Sequence, residues 1–272
     1  MNPRALLIWV GAVLLLSLGS EDPVYRVLTL VAAALMLLRA RRPGTAVTPA
    51  LRWVGLAGLM AIGFNFLLSH TGQDVVVALP AWLPAVGGQL PWEGAAYGVD
   101  VALGLTACLL AGLTLAVATE PQQLVDALPN SLHRTGAALA ATTTLLPRLR
   151  SGFLAVREAQ SVRGWRPRGP RSWRAVAVPS VLSAIEGSVL LAEAMESRGF
   201  GLARRTSVWP TPWTRGDKML AAVTAAAGAL FMTAVVLGLV GGWEPYPTLQ
   251  LPGVDWLPTA GGCLLIVAAF CA

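Results

Sequence analysis

Long apolar runs without charge constrain this chain most, because few folds can accommodate them. The clearest run extends from Met219 to Val240 and contains no charged residue. About 20 apolar residues in a helix cross the hydrocarbon core of a bilayer, and a helix pairs its own backbone groups there. Of the 272 residues, 55% are hydrophobic, and the mean hydropathy is +0.63. These values predict an all-α integral membrane protein.

About six transmembrane helices are predicted. They cover residues 5–19, 24–38, 53–69, 95–118, 219–240 and 257–272. The segment 71–93, which contains VVVALPAWLP, is expected to be an outer loop. The first two segments are short and are expected to form a tight hairpin. The chain is therefore divided into N-terminal transmembrane helices (1–118), a cytoplasmic region (119–218) and C-terminal transmembrane helices (219–272).

The distribution of basic residues predicts the orientation. Of the 20 Lys and Arg residues, all except Arg26 fall on one predicted side, and 14 of them lie in the region 119–218. Because cytoplasmic loops carry the excess of Lys and Arg, the N-terminus and this region are expected to be cytoplasmic. The net charge of +6 is thereby explained by membrane topology, which argues against a nucleic-acid-binding protein.

The cytoplasmic region is predicted to be largely helical. A short helix is expected over 120–127, and a longer amphipathic one over 131–163 with a kink at Pro147. The segment GWRPRGPRSW (164–173) is rich in Gly, Pro and Arg and is predicted to be a basic turn or loop. A second long helix is expected over 173–198, with a wide apolar surface.

An octet is repeated at the ends of these two long helices. EAQSVRGW covers 158–165 and EAMESRGF covers 193–200. One interpretation is helix capping, since Arg favours the negative end of the helix dipole and Gly accepts the left-handed conformation that ends a helix. The other is that Arg163 and Arg198 present matched guanidinium groups to a partner with two equivalent acidic pockets.

These residues resemble the transmembrane T component of energy-coupling factor (ECF) transporters, which include cobalt transporters. That family carries two Ala-Arg-Gly-like triplets, each ending a cytoplasmic coupling helix. The matching positions are Val162-Arg163-Gly164 and Ser197-Arg198-Gly199; both lack the Ala and keep the Arg-Gly. The stretches TTLLPRL (143–149) and LLAEAMESRGFG (190–201) are similar to the family as well.

The resemblance implies a bacterial plasma-membrane scaffold without a cofactor of its own. It would join two cytoplasmic ATP-binding ATPase subunits to a small membrane-embedded substrate-binding subunit, for uptake of a vitamin or a transition-metal ion. Arg163 and Arg198 would dock into the two ATPases. We also expect Glu158 and Glu193 either to hold these Arg side chains from about one helical turn away or to be solvated acids.

Other functions are weighed against this one. The only lysine, Lys218, has no P-loop around it, so the chain is expected to be a non-catalytic subunit. An ordinary ABC permease would typically use one short coupling helix per subunit pair and form a dimer, whereas this chain carries both Arg-Gly triplets. An integral-membrane enzyme acting on lipid or prenyl diphosphate would need clustered acids, and the only adjacent pair is Glu21-Asp22. His70 and His133 lie in no ligand-like cluster, so no metal site is expected.

Two polar residues lie inside predicted spans. Asp100 is close to the outer end of its helix, and we expect it to reach the membrane interface. Asn65 is expected to form a hydrogen bond with a neighbouring helix.

Overall fold

The computed structural model describes residues 2–41, 47–69, 75–79, 88–127, 133–199, 212–240, 243 and 252–271. The described helices are α1 (Pro3–Gly19), α2 (Pro23–Ala40), α3 (Thr48–Leu68), α4 (Trp92–Ala118), α5 (Pro121–Asp126), α6 (His133–Val162), α7 (Arg174–Ser197), α8 (Arg215–Val236) and α9 (Trp256–Cys271). The chain forms two compact units. The membrane unit comprises residues 1–120 and 211–272, and the α5–α7 unit comprises residues 121–210.

The predicted all-α architecture is confirmed, with one short addition. Between α3 and α4, strands β1 (Val75–Leu79) and β2 (Gly88–Pro91) form an antiparallel hairpin. The valine run of β1 has the β-branched side chains that favour a strand. The rest of the outer segment VVVALPAWLP, residues 80–84, lies outside the described residues.

Five described helices are long and apolar enough to cross a membrane. Four of them, α2, α3, α4 and α8, correspond to predicted spans, and the fifth comprises residues 171–197, which include α7. The first and last predicted spans, α1 and α9, are apolar but have only 17 and 16 residues. All six predicted spans are thus apolar helices in the structure. The helix α7 also meets the criterion of length and composition, although it belongs to the segment predicted to be cytoplasmic.

One face of the short helix α1 nevertheless packs into the core of the membrane unit. Its Leu6, Trp9 and Val13 are fully buried, and they belong to one apolar core that also includes Phe231 of α8 and Leu265 of α9. The opposite face of α1 is exposed at Leu7, Ile8, Leu15 and Leu18, so the helix has one face on the bundle core and one apolar face toward the surroundings of the bundle.

Polar contacts join the helix ends at one end of the membrane unit. The backbone N–H of Asn2 donates to Oδ1 of Asp217 at 2.7 Å. Asp217 also forms a capping box with Thr214 at the start of α8. Arg39, near the end of α2, donates to the C=O groups of Ala269 and Phe270 in the last turn of α9. The starts of α1 and α8 and the ends of α2 and α9 therefore lie at the same end of the bundle, as an alternating topology requires.

A buried ion pair joins α2 and α4 toward the other end. The guanidinium of Arg26 forms a salt bridge with Oδ2 of Asp100, and Asp100 is 1% exposed. The Nε of Arg26 donates to the C=O of Ser20 at 3.1 Å. Ser17 donates to the C=O of Gly104 beside this pair at 3.1 Å. A Cβ on Gly104 would lie 3.2 Å from Cδ of Arg26, so a glycine makes room for the arginine.

The carboxylate of Asp100 is thus not exposed at the surface of the bundle but is buried against Arg26 in the first turn of α2. Arg26 and Asp100 neutralise each other inside the bundle, which is how ionisable groups are tolerated at membrane depth. The amide nitrogen of Asn65 departs from expectation, since it donates to the C=O of Ala61 in its own helix at 2.8 Å and not to a neighbouring helix.

We expect the membrane unit to lose stability when one partner of the Arg26–Asp100 pair is removed, and not when both are replaced by apolar residues. Asp100→Asn leaves the Arg26 charge uncompensated and should lower the free energy of unfolding by about 2–4 kcal/mol. The double variant Arg26→Met/Asp100→Leu should recover most of this loss. Unfolding by sodium dodecyl sulfate in mixed micelles measures both.

The matched control is Asp255→Asn, which removes an exposed carboxylate near the same end of the bundle. It should leave the free energy of unfolding nearly unchanged. Equal losses in Asp100→Asn and Asp255→Asn would show that the pair has no special role.

Candidate functional site

The helices α6 and α7 pack against each other in antiparallel directions. Phe153 of α6 stacks on Trp173 at the start of α7, with 6.4 Å between ring centroids. Residues 145–152, further back along α6, share a groove with residues 180–187, further forward along α7. Residues nearer the C-terminus of α7 therefore contact residues nearer the N-terminus of α6. Consequently, the C-terminal ends of the two helices lie at opposite ends of the pair.

Each of these C-terminal ends carries one of the predicted triplets. We call residues 162–164 the first Arg-Gly end and residues 197–199 the second Arg-Gly end. The structure describes all six residues, whereas Phe200, the last residue of the second octet, lies outside the described residues.

The first Arg-Gly end is a complete glycine cap. Gly164 has a φ of 85°, in the left-handed region that side chains other than glycine rarely adopt. Its N–H donates to the C=O of Ser161 at 3.0 Å, and the N–H of Trp165 donates to the C=O of Gln160 at 2.9 Å. This pair of bonds is the Schellman arrangement, which satisfies carbonyl groups left open at a helix end.

The second Arg-Gly end has the same glycine conformation and the same glycine hydrogen bond. Gly199 has a φ of 70°, and its N–H donates to the C=O of Glu196 at 2.9 Å. The helix α7 ends at Ser197, and Arg198 follows directly. The capping interpretation of the two glycines is thus confirmed, and in both ends it places an arginine at the last position before the chain turns.

Both arginines project into open space. Arg163 and Arg198 are exposed, as are Val162, which is 85% exposed, and Ser197. Within the described part of the chain, neither guanidinium takes part in a hydrogen bond or an ion pair. The two charged forks are therefore available to an acidic partner.

The supporting role expected of Glu158 and Glu193 is absent from the structure. Over the described residues, Glu158 forms no ion pair with Arg163, and Glu193 forms none with Arg198. Residues five positions apart on an α-helix point about 140° away from each other, so the glutamates lie on a different side from the arginines. All four side chains are exposed, which fits the alternative of solvated acids.

The distance between the two Arg-Gly ends follows from the packing. Trp165, directly after the first Arg-Gly end, contacts Trp173 at the start of α7, with 5.3 Å between ring centroids. The second Arg-Gly end lies beyond the 24 residues of α7. At the rise of an α-helix, this length separates the two ends by about 36 Å.

A comparison with known protein families identifies the chain. The model of the family described as CbiQ, cobalt transport protein, matches residues 1–208, about three quarters of the sequence. The chain belongs to the CbiQ family. The matched region contains both Arg-Gly ends and the first four helices of the membrane unit. No curated protein matches the chain.

Membership in the CbiQ family makes this chain a multi-pass membrane component of a transporter that works with other subunits. It also confirms the resemblance on which the sequence-based assignment depends. Over the residues that the structure describes, no group of three or more His, Cys, Asp or Glu side chains is arranged to hold a metal ion. His70 lies outside those residues.

The sequence did not predict how the first Arg-Gly end is anchored in this CbiQ-family chain. The indole N–H of Trp165 donates to the C=O of Ser172 at 2.8 Å. The Ser172 hydroxyl accepts from the N–H of Arg168 and donates to the C=O of Gly169, at 2.9 and 2.8 Å. The only indication in the sequence was the presence of Trp165 and Trp173 near the two ends of this loop. Their contact requires the chain to reverse its direction between α6 and α7.

We expect the left-handed conformation of Gly164 to hold the first Arg-Gly end in place. Gly164→Ala should raise the hydrogen-exchange rate of the Trp165 amide about five- to tenfold, because a side chain in this conformation costs about 1–2 kcal/mol. Hydrogen–deuterium exchange resolved at the end of α6 provides the measurement.

Gly152→Ala is the matched control within the same helix. A Cβ at either glycine meets no atom within 4 Å, but only Gly164 has a positive φ. Alanine at 152 should slow exchange slightly, since alanine favours the helix interior over glycine by about 1 kcal/mol. If both variants changed exchange in the same direction, backbone conformation would not be the cause.

Proposed function

We propose that this chain is the coupling subunit of an ECF-type importer of the bacterial plasma membrane. It transmits ATP hydrolysis by two cytoplasmic ATPase subunits to a separate membrane-embedded subunit that binds the substrate. Val162, Arg163 and Gly164 dock one ATPase, and Ser197, Arg198 and Gly199 dock the other. The chain itself performs no catalysis.

The proposal rests on one structural feature that occurs twice, a glycine-capped helix end with an exposed arginine. Two helices end in a left-handed glycine whose N–H donates to the C=O three residues earlier. Each end carries an exposed arginine that has no partner among the described residues, and the two arginines lie at opposite ends of one helix pair. A guanidinium fork suits a carboxylate-lined groove. Two like arginines about 36 Å apart suit two copies of the same partner.

The charge around α7 favours a position along the membrane surface over a membrane crossing. Arg171 and Arg174 lie at its start, Arg198 lies at its end, and Glu186 lies near its middle. Placing either basic end on the outer side opposes the positive-inside rule, and a crossing would also bring Glu186 to membrane depth. An interfacial α7 keeps both Arg-Gly ends on the cytoplasmic side.

The charges of the membrane unit support the same orientation. Arg39 and Asn2 lie at one end of the bundle, whereas the Arg26–Asp100 pair lies toward the other. The exposed basic residues at the first end are Arg4, Arg39, Arg41, Arg52, Arg215 and Lys218. The positive-inside rule assigns that end to the cytoplasm.

The transported substrate is proposed as a class only. The name of the family, cobalt transport protein, favours a transition-metal ion, and a vitamin is the second class carried by ECF-type importers. The choice belongs to the substrate-binding subunit, so variants of the Arg-Gly ends should affect the rate of uptake and not its specificity.

Co-purification of the chain with its ATPases tests the proposal. The chain is expressed with the ATPase subunits and the small membrane protein encoded beside it, and the complex is isolated in detergent. Arg163→Ala/Arg198→Ala should reduce the retained ATPase at least about tenfold, because two charge-assisted contacts are lost, each about 1.5–3 kcal/mol.

Arg150→Ala/Arg157→Ala is the control, since it removes two exposed arginines from the side of α6. It should retain the ATPases as the wild type does. Equal retention by all three proteins, with equal uptake, would mean that the Arg-Gly ends are helix caps without a docking role.

A further inference from the structure

The loop between α6 and α7 concentrates positive charge on an ordered framework. We define the basic elbow as residues 165–174, directly after the first Arg-Gly end. It carries four arginines, and no acidic residue occurs from 159 to 185. The arginines are Arg166, Arg168, Arg171 and Arg174, and all of them are exposed. Within the described residues, no ion pair neutralises any of the four.

The framework of the elbow does not use the guanidinium groups. It is held by the Trp165–Ser172 hydrogen bond, by the edge-on contact of Trp165 with Trp173, and by the backbone N–H of Arg168 on Ser172. Gly169 turns the chain with a φ of 84°. The arginine side chains are therefore free to bind an anionic surface without rearrangement of the loop.

The helix that leaves the elbow exposes an apolar face. Its aliphatic side chains Val178, Val181, Leu182 and Ile185 are each more than half exposed, and Trp173 at its start is 39% exposed. Exposed apolar surface of this kind marks a membrane or protein contact. A basic cluster with tryptophan beside an apolar helix face is the pattern of a segment lying at the surface of an anionic bilayer.

We propose that the basic elbow binds the phosphate groups of anionic phospholipids in the inner leaflet, with the apolar face of α7 in contact with the acyl chains. Arg166, Arg168 and Arg171 would supply the charge. The elbow thus holds the α5–α7 unit at the membrane surface, a role separate from the docking of ATPases by Arg163 and Arg198. The positive charge of the elbow is complementary to an anionic partner. The aliphatic face of α7 continues directly from the charged cluster, and this combination favours a phospholipid, which has an anionic headgroup and acyl chains, over an acidic protein.

Photo-crosslinking with a phosphatidylglycerol analogue tests this assignment. The full chain is reconstituted in phosphatidylcholine nanodiscs containing a phosphatidylglycerol with a photoreactive headgroup, and labelled peptic peptides are identified by mass spectrometry. Peptides covering the elbow and the first turns of α7 should be labelled in the wild type. Arg166→Gln/Arg168→Gln/Arg171→Gln should reduce that labelling at least about tenfold, as expected for three interfacial charges.

The matched control is Arg148→Gln/Arg150→Gln/Arg157→Gln, which removes the same charge from exposed positions on α6. It should change labelling of the elbow by less than about twofold, and labelling of the membrane unit should be unchanged in all proteins. The variant Arg166→Lys/Arg168→Lys/Arg171→Lys keeps the charge and should keep most of the labelling. Its labelling also shows whether substitution alone disturbs the loop.

Three results would overturn the proposal. In the first, the elbow variant and the α6 control lose labelling equally, which indicates general attraction by charge. In the second, soluble glycerol phosphate displaces the label at micromolar concentration, which indicates a site for a free phosphate compound. In the third, labelling is unchanged but ATPases no longer co-purify in phosphatidylglycerol-free detergent, although Arg163 and Arg198 are intact; the elbow is then a protein contact.

Discussion

The left-handed backbone of Gly164 and Gly199 is the constraint on which the candidate site depends. A residue with a side chain would resist this conformation, so these positions determine where α6 and α7 stop. Because the helices stop there, Arg163 and Arg198 lie at exposed ends and not on a packed helix face. Capping and the proposed docking are therefore compatible, because the cap leaves each arginine exposed at a helix end, where a partner could reach it.

In the membrane unit, specific contacts hold together six described helices of unequal length. The shorter helices α1 and α9 are held by burial and by polar contacts at their ends, such as Asn2 with Asp217 and Arg39 with the end of α9. The Arg26–Asp100 pair joins α2 to α4 within the bundle. Contacts of this kind between helices suit the scaffold role proposed above, because they link the helices of the membrane unit to one another.

Local patterns in the sequence predicted much of this structure. Apolar runs gave α2, α3, α4 and α8, and the Arg-Gly pairs gave the ends of α6 and α7, because both signals depend on neighbouring residues. The pairing of Arg26 with Asp100 could not be predicted, since it joins residues 74 positions apart and requires knowledge of which helices touch. The β1–β2 hairpin was missed because its valine run lay in a segment assigned to an outer loop. The contacts expected of Glu158 and Glu193 failed on helical geometry, which a spacing of five residues already disfavours.

The distribution of arginine gives one chain two kinds of surface. At the Arg-Gly ends single arginines stand alone at helix ends, whereas in the basic elbow several crowd onto one loop beside tryptophan and aliphatic side chains. A lone guanidinium fork suits a shaped acidic groove, and a cluster suits a diffuse anionic surface. The α5–α7 unit thereby combines features suited to soluble partners with features suited to the bilayer.

Site-specific crosslinking from both Arg-Gly ends tests the central claim most directly. A photoreactive amino acid replaces Val162 in one protein and Ser197 in another, both exposed positions, and exposed Leu146 serves as the control position. The account predicts that 162 and 197 each crosslink to an ATPase, at the same groove of the ATPase fold, and that 146 does not. Crosslinks from 162 and 197 to unrelated surfaces, or to no ATPase at all, would contradict it.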